Sequence, residues 1–340
     1  MKPVLLPPNG VPRFYRGGPA ITALRGVDFA GDRVPEEWIG STASAFGEGD
    51  LGLSTLPDGT LLRDAIRADP DAYLGAAHVA HFGPDPALLV KLLDAGERLP
   101  VHAHPDGAFA RVHLGTAFGK TESWIVVGAA HPDTAVHVGF REDVDAGTLA
   151  GWVRDQDGAA MLDALHRVPV GPGDAIFVPA GTPHAIGEGL LIVELQEPTD
   201  MSVLLEWDGF GIEDDDEATL GLGWERALRC VDRAALDPAT LRGPDPAANG
   251  PVARLLPPAA DRFFRAERLA PRSGAPAELA PGFAILVLTD GAGSLRPEHG
   301  EPLDLRRGDT VLVPWDAGAF ALEGELVAIA CRPPADGGEA

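Results

Sequence analysis

Cysteine is almost missing from this sequence: Cys230 and Cys331 stand far apart and neither belongs to a CxxC pair. That excludes a disulfide framework and fits a reducing compartment. Basic residues are also scarce, 27 Lys and Arg against 51 Asp and Glu, which leaves a net charge of −24. Such a surface field repels nucleic acid and anionic membrane, and it gives no long-range steering to an anionic substrate. Long apolar runs are lacking as well. No segment approaches membrane-spanning length, and prolines interrupt MKPVLLPPNGVPRFYRGG where a signal peptide needs an unbroken apolar stretch, so the expected location is the cytoplasm. No internal repeat of solenoid length is found.

What is present is an ordinary globular composition, 45% hydrophobic and 23% charged over 340 residues, enough for two domains with their own cores. Within it lies KLLDAGERLPVHAHPDGAFARVHLGTAFGKTES, residues 91–123, in which His102 and His104 are one residue apart. On a strand they point the same way and offer two imidazoles to one ion. A second stretch, GPGDAIFVPAGTPHAIG at 171–187, runs an apolar strand, Ala175–Val178, into a Pro/Gly turn that delivers His184. The GxxxxxHxH from Gly96 to His104, and the GD followed by PxxxxH from Gly173 to His184, are the two halves of a cupin signature, with Glu122 as the acid of the first half. His113, His131, His137 and His166 lack the paired spacing.

Three blocks narrow the resemblance. LLVKLLDAGERLPVHAHPD, GKTES and AGTPHAIGEGLLIVELQEPTD resemble, in order and interval, the signature blocks of class I mannose-6-phosphate isomerases, zinc-dependent bicupins. The likeness covers about residues 10–210. It implies a mainly β chain of two cupin (jelly-roll) barrels, with helical insertions in and after the first. It implies the metal ligands His102 (where the family usually has Gln), His104, Glu122 and His184, and zinc as the metal, although manganese, iron, cobalt and nickel occupy similar sites. It points to Lys120 of GKTE as the acid/base group and places Trp38, with Ser41 and Thr42, beside the site. Glu194, a lone acid in the strand Leu190–Gln196, is a second acid/base candidate if burial raises its pKa. The activity implied is interconversion of mannose 6-phosphate and fructose 6-phosphate by proton transfer between C1 and C2.

Two departures bear on the substrate. Leu204 stands where the family carries an Arg, and Pro100 where it carries a Ser associated with the phosphate end. Arg16 and Arg98 are the candidates to compensate; if they converge with Lys120 beside the metal, phosphate binding is restored, and if they scatter, the pocket suits a neutral sugar. The partner expected is therefore a sugar or sugar phosphate, with no nucleic acid and no membrane; the sequence sets no oligomeric state. The alternatives are an isomerase or epimerase of an unphosphorylated or modified sugar, a non-catalytic sugar-binding cupin that retains its metal, and a metal-dependent oxygenase.

Along the chain the expected organisation is a metal-binding cupin domain over 1–210, a helix and Pro/Gly-rich linker over 211–258 and a metal-free cupin-like barrel over 259–340. Short strands are expected near 13–15 and 21–24, helices near 61–68 and 70–74, and a helical excursion over 143–166 begun by Asp143 as a cap. A helix is expected over 224–231, and the acidic run at 213–217 reads as a solvated loop and helix start. RGDTVLVP at 307–314 repeats the GD-to-Pro half of the motif, but no histidine follows at the required interval.

Overall fold

The computed structural model describes residues 1–212, 215–244 and 250–335, so Glu213 and Asp214 of the acidic run lie outside the described residues. Strands make up 32% of the chain and helices 21%, and the sheets are antiparallel, so the fold is mainly β. Three sheets carry it. The first orders six strands as Gly10–Val11, Glu36–Ile39, Leu89–Asp94, Leu190–Gln196, Glu122–Ala129 and Ala175–Val178. The second orders five as Val203–Leu204, His102–Ala103, His184–Ile186, Ala135–Phe140 and Leu165–Pro169.

Leu190–Gln196 is buried along its whole length because the first sheet is covered on both faces. Leu191, Val193 and Leu195 pack with Ile285, Val287 and Ile329 from the C-terminal sheet. Ile192, on the opposite face, packs with Trp124, Val138 and Ile186. The period of two along one strand thus bonds two cores to one sheet.

The third sheet has eight strands, among them Ala284–Pro297, Thr310–Val313 and Phe320–Arg332. Leu286, Leu288, Val311 and Leu322 fill a core of its own, while Ile285 and Val287 turn toward the first sheet. Val4–Leu5 joins this sheet rather than the first, pairing with Val311 and Leu312.

Several local expectations are corrected by long-range contacts. Residues 21–24 lie in a helix, Ala20–Arg25, not a strand. Asp94, far along the chain, accepts from the backbone N–H of Ala20 and Ile21 and so completes the helix start. No strand forms at 13–15. Helices Leu62–Ala68 and Pro70–Leu74 are followed by a third, Ala76–Phe82. The excursion between the metal half-motifs is Ala146–Asp155 and Gly158–Ala164, but its cap is Asp145, whose carboxylate accepts from Gly147 and Thr148. Asp143 instead accepts from the backbone of Ala235. The helix at 224 stops at Ala227 and tightens into a 3-10 turn, Leu228–Cys230. Gly96 of the cupin motif is needed for close approach, since a Cβ there would sit 2.3 Å from the Gly17 carbonyl oxygen.

Candidate metal centre

His102 and His184 are register partners across adjacent antiparallel strands. His104 follows two positions after His102 and turns to the same side. One donor nitrogen from each of the three buried rings lies within 4.8 Å of the others. Each ring is also held from behind: Nδ1 of His102 is 2.8 Å from the Pro100 carbonyl, that of His104 2.8 Å from Met201, and that of His184 2.8 Å from Thr182. A carbonyl only accepts, so each Nδ1 carries the proton and each Nε2 keeps a lone pair.

The other sheet brings Glu122 against these lone pairs. Its Oε2 is 3.1 Å from His104 Nε2, and its Oε1 is 3.2 Å from His184 Nε2. A carboxylate oxygen only accepts, and His184 Nε2 is buried with no hydrogen-bond partner. Glu122 accepts from Lys120 Nζ at 2.9 Å and from Trp124 Nε1 at 3.0 Å, and Lys120 Nζ is also 2.9 Å from His104 Nε2. Burial, then its histidine neighbours and Lys120, hold His102 well below the ordinary imidazole range. Burial and Lys120 push His104 down to about 3. Burial opposes ionisation of Glu122, but Lys120, His104 and His184 outweigh it and keep its carboxyl far below the usual range. Neutral imidazoles with inward lone pairs are the form that ligates, so the three-histidine group fits a metal site.

Beside it runs a row that joins the expected Trp38 and Glu194 to Lys91 and Trp124, which the sequence alone does not single out. Trp38, Lys91, Glu194 and Trp124 are register neighbours across four strands. Lys91 is 2% exposed and its Nζ lies 3.4 Å from Glu36, 3.8 Å from Glu194 and 3.8 Å from Asp200, over the Trp38 ring at 4.7 Å. Burial alone would lower its pKa; Glu36, Glu194 and Asp200 raise it instead. Arg13 grips Asp200 with two hydrogen bonds, 2.9 and 3.2 Å, and Tyr15 donates to Glu36 at 2.5 Å. Burial and the nearby Glu122 push Glu194 up to about 8. The available signal for Lys91 is a single charge inside the apolar run LLVKLL.

Lys91, Lys120, Glu122, Glu194, His102 and Asp200 line an inner cavity of about 40 Å³. Pro100 and Leu204 are in its wall. Arg13, Phe14, Asp200, Ser202 and Leu204 also line an outer cleft of about 380 Å³, walled further by Phe46, Glu48, Leu51, Glu217 and Leu220. None of the three expected substrate contacts lines either cavity. Arg16 is exposed and faces Asp32 at 3.8 Å. Arg98 is clamped on Glu206 by two bonds of 2.7 Å and stacks on Phe210. Trp38 is buried beneath Lys91, its Nε1 donating to Glu36 at 2.6 Å. Arg16 and Arg98 therefore do not converge with Lys120.

No helix among the described residues is long and apolar enough to cross a membrane. No protein-family model matches the chain. It is 32% identical over 189 residues to the mannose-6-phosphate isomerase of Streptococcus mutans, which is 54% of this chain and 54% of that protein. The chain thus spans about half the length of that curated relative in the match. Among solved structures it resembles the mannose 6-phosphate isomerase of Bacillus subtilis, at a TM-score of 0.77 and 21% identity over 98% of this chain and 100% of that one. It also resembles a mannose 6-phosphate isomerase bound with zinc and yttrium, at 0.74 and 16% over 98% and 99%. At those identities the likeness to solved structures speaks for the fold.

Proposed function

We infer that the chain is a member of the mannose-6-phosphate isomerase family and a metal-dependent aldose–ketose isomerase, of the type that interconverts mannose 6-phosphate and fructose 6-phosphate. The observation that carries this reading is the buried group of three histidines, each fixed by a backbone carbonyl, with Glu122, Lys120 and Glu194 beside it. We assign His102, His104, Glu122 and His184 as the ligands. Zinc suits three imidazoles and a carboxylate, and it is the metal named for one solved relative. When bound, the ion supplies Lewis acidity to the oxygens at C1 and C2.

The rest falls to the chain. Moving a proton between C1 and C2 needs a group that takes it from one carbon and returns it to the other. Lys120 and Glu194 are the acid/base groups assigned here, because both reach the inner cavity. Lys91, held among three carboxylates, acts as a fixed positive charge that orients Glu194. The domain division drawn above, a metal-binding barrel and a second barrel without metal ligands, is part of this proposal. So is a cytoplasmic site of action, which suits two buried, unpaired cysteines.

The test is an isomerase assay on metal-reconstituted protein with aldoses and ketoses, phosphorylated and free. Activity that chelation and His104→Ala both abolish supports the reading. Stoichiometric metal with no isomerisation of any sugar would leave a sugar-binding cupin in its place.

A further inference from the structure

We propose that the protein carries a second binding site, separate from the metal centre, for a small phosphate monoester. It is the cavity where the C-terminal sheet meets the helices Pro70–Leu74 and Ala76–Phe82. Its volume is about 210 Å³, and it shares no lining residue with the inner cavity or the outer cleft. Arg265 and Arg332 meet in it as register partners on adjacent antiparallel strands, so both guanidinium groups lie on one face. Like charges directly opposite each other destabilise a sheet, and an anion shared between them reverses the sign. No Asp or Glu lines the cavity, in a chain that carries 51 of them.

Backbone carbonyls hold these two side chains, which orients them and leaves their charge in place. Arg265 Nε donates to Pro333 at 3.1 Å, and Arg332 Nη2 donates to Ala280 at 3.3 Å and to Pro281 at 3.1 Å. The terminal nitrogens of Arg265 make no hydrogen bond or ion pair among the described residues. Glu267, two residues along the same face, feels both arginines, yet burial pushes its carboxyl upward and its Oε2 is buried with no hydrogen-bond partner. Leu74, Phe283 and Trp315 supply the apolar wall. Trp315 directly follows the GD-to-Pro turn of the C-terminal sheet, and its indole packs so closely on Gly75 that a Cβ there would come within 2.6 Å. Planar guanidinium forks match phosphate oxygens, and the indole suits the C–H face of a sugar ring. The ligand that satisfies both walls is a phosphorylated sugar-sized metabolite.

The experiment titrates inorganic phosphate and glucose 1-phosphate, whose C1 is blocked against isomerisation, into the metal-reconstituted full chain, by calorimetry with tryptophan fluorescence read alongside. Saturable binding is expected for both, tighter for the ester. Arg265→Gln should weaken it about tenfold or more while kcat/KM for isomerisation stays at the wild-type level. Glucose 1-phosphate should raise Tm by tying the C-terminal sheet to the helices, and Arg265→Gln should cancel the rise. Trp315→Phe, which keeps the wall filled, should remove the fluorescence change that the ester causes. Absence of binding overturns the proposal. So does binding that Arg265→Gln leaves unchanged, or that inhibits isomerisation competitively, since either places the anion at the metal centre. The titrations need no turnover, so they decide this site whatever the metal centre isomerises.

Discussion

Both barrels enter a strand through the same turn, and they place opposite chemistry behind it. Gly173 and Asp174 lead into Ala175–Val178 and Pro179, with Asp174 accepting from the backbone N–H three residues before it, Gly171. Gly308 and Asp309 lead into Thr310–Val313 and Pro314, and Asp309 accepts from Arg306 in the same manner. Five residues beyond the first proline stands His184, and five beyond the second stands Ala319. The GD-to-Pro pattern is thus a turn that starts a barrel strand, and chemistry enters only with the residue delivered afterward. The interiors follow suit. One holds histidines and a lattice of buried ions, whereas the other is filled by Leu286, Leu288, Val311 and Leu322. A buried charge is tolerated where a partner sits against it, so the first interior must be neutral as a set.

Replacing His184 by Ala makes the first barrel resemble the second, and this should have the largest effect. Loss of a Lewis acid worth several kcal/mol lowers kcat/KM by roughly 10³-fold or more, read together with metal content by elemental analysis. Next comes Lys91→Met, which leaves Glu36, Glu194 and Asp200 without their shared cation and should cost about 3–5 kcal/mol in denaturant unfolding. The matching change in the second interior, Leu286→Ala, should cost about 2–5 kcal/mol through its cavity while kcat stays near wild type. If Lys91→Met is neutral in stability, the picture of mutual neutralisation is wrong.

A pH series sharpens the contrast further. Burial opposes ionisation of Asp200 and Glu36, but Arg13 and Lys91 hold both carboxyls below their ordinary values. The folded state therefore binds these protons less tightly than the unfolded chain. Their stabilisation is full above about pH 4–5 and is lost as pH falls through the lower folded values. Asp200→Asn should flatten that acid limb of the stability curve. The smallest effect belongs to Arg16→Ala, an exposed arginine 3.8 Å from exposed Asp32, which should move stability by less than about 0.5 kcal/mol.

How much was legible follows from how local each feature is. Ala175–Val178 and Leu190–Gln196 have the bounds read from their apolar runs, because period and flanking turns lie within the strand itself. His102 and His104 share a side for the same reason, and a Pro/Gly turn brings His184 to them. The ion lattice was not legible, since nothing near Lys91 in sequence announces Glu36 or Asp200. Arg98 was read as a phosphate ligand from its charge, yet charge does not choose a partner, and Glu206 had the geometry to take it. The helix at Ala20–Arg25 was missed because the carboxylate at its start belongs to Asp94.

The pairing of Val4–Leu5 with Val311 and Leu312 also sets a timetable. These partners are separated by 306 to 308 positions, 311 less 5 and 312 less 4. At a synthesis rate of about 5–20 residues per second, the earlier strand waits roughly 15–60 s for its mate to be made. From their own synthesis until that of Ile329, Leu191, Val193 and Leu195 lack part of the cover that Ile285, Val287 and Ile329 later give them. The nascent protein thus carries a greasy, half-finished sheet through the later part of its own translation, a state prone to sticking to its neighbours on the polysome. Chains stalled near residue 258 should bind general chaperones in ribosome pull-downs, and chains released at full length should not.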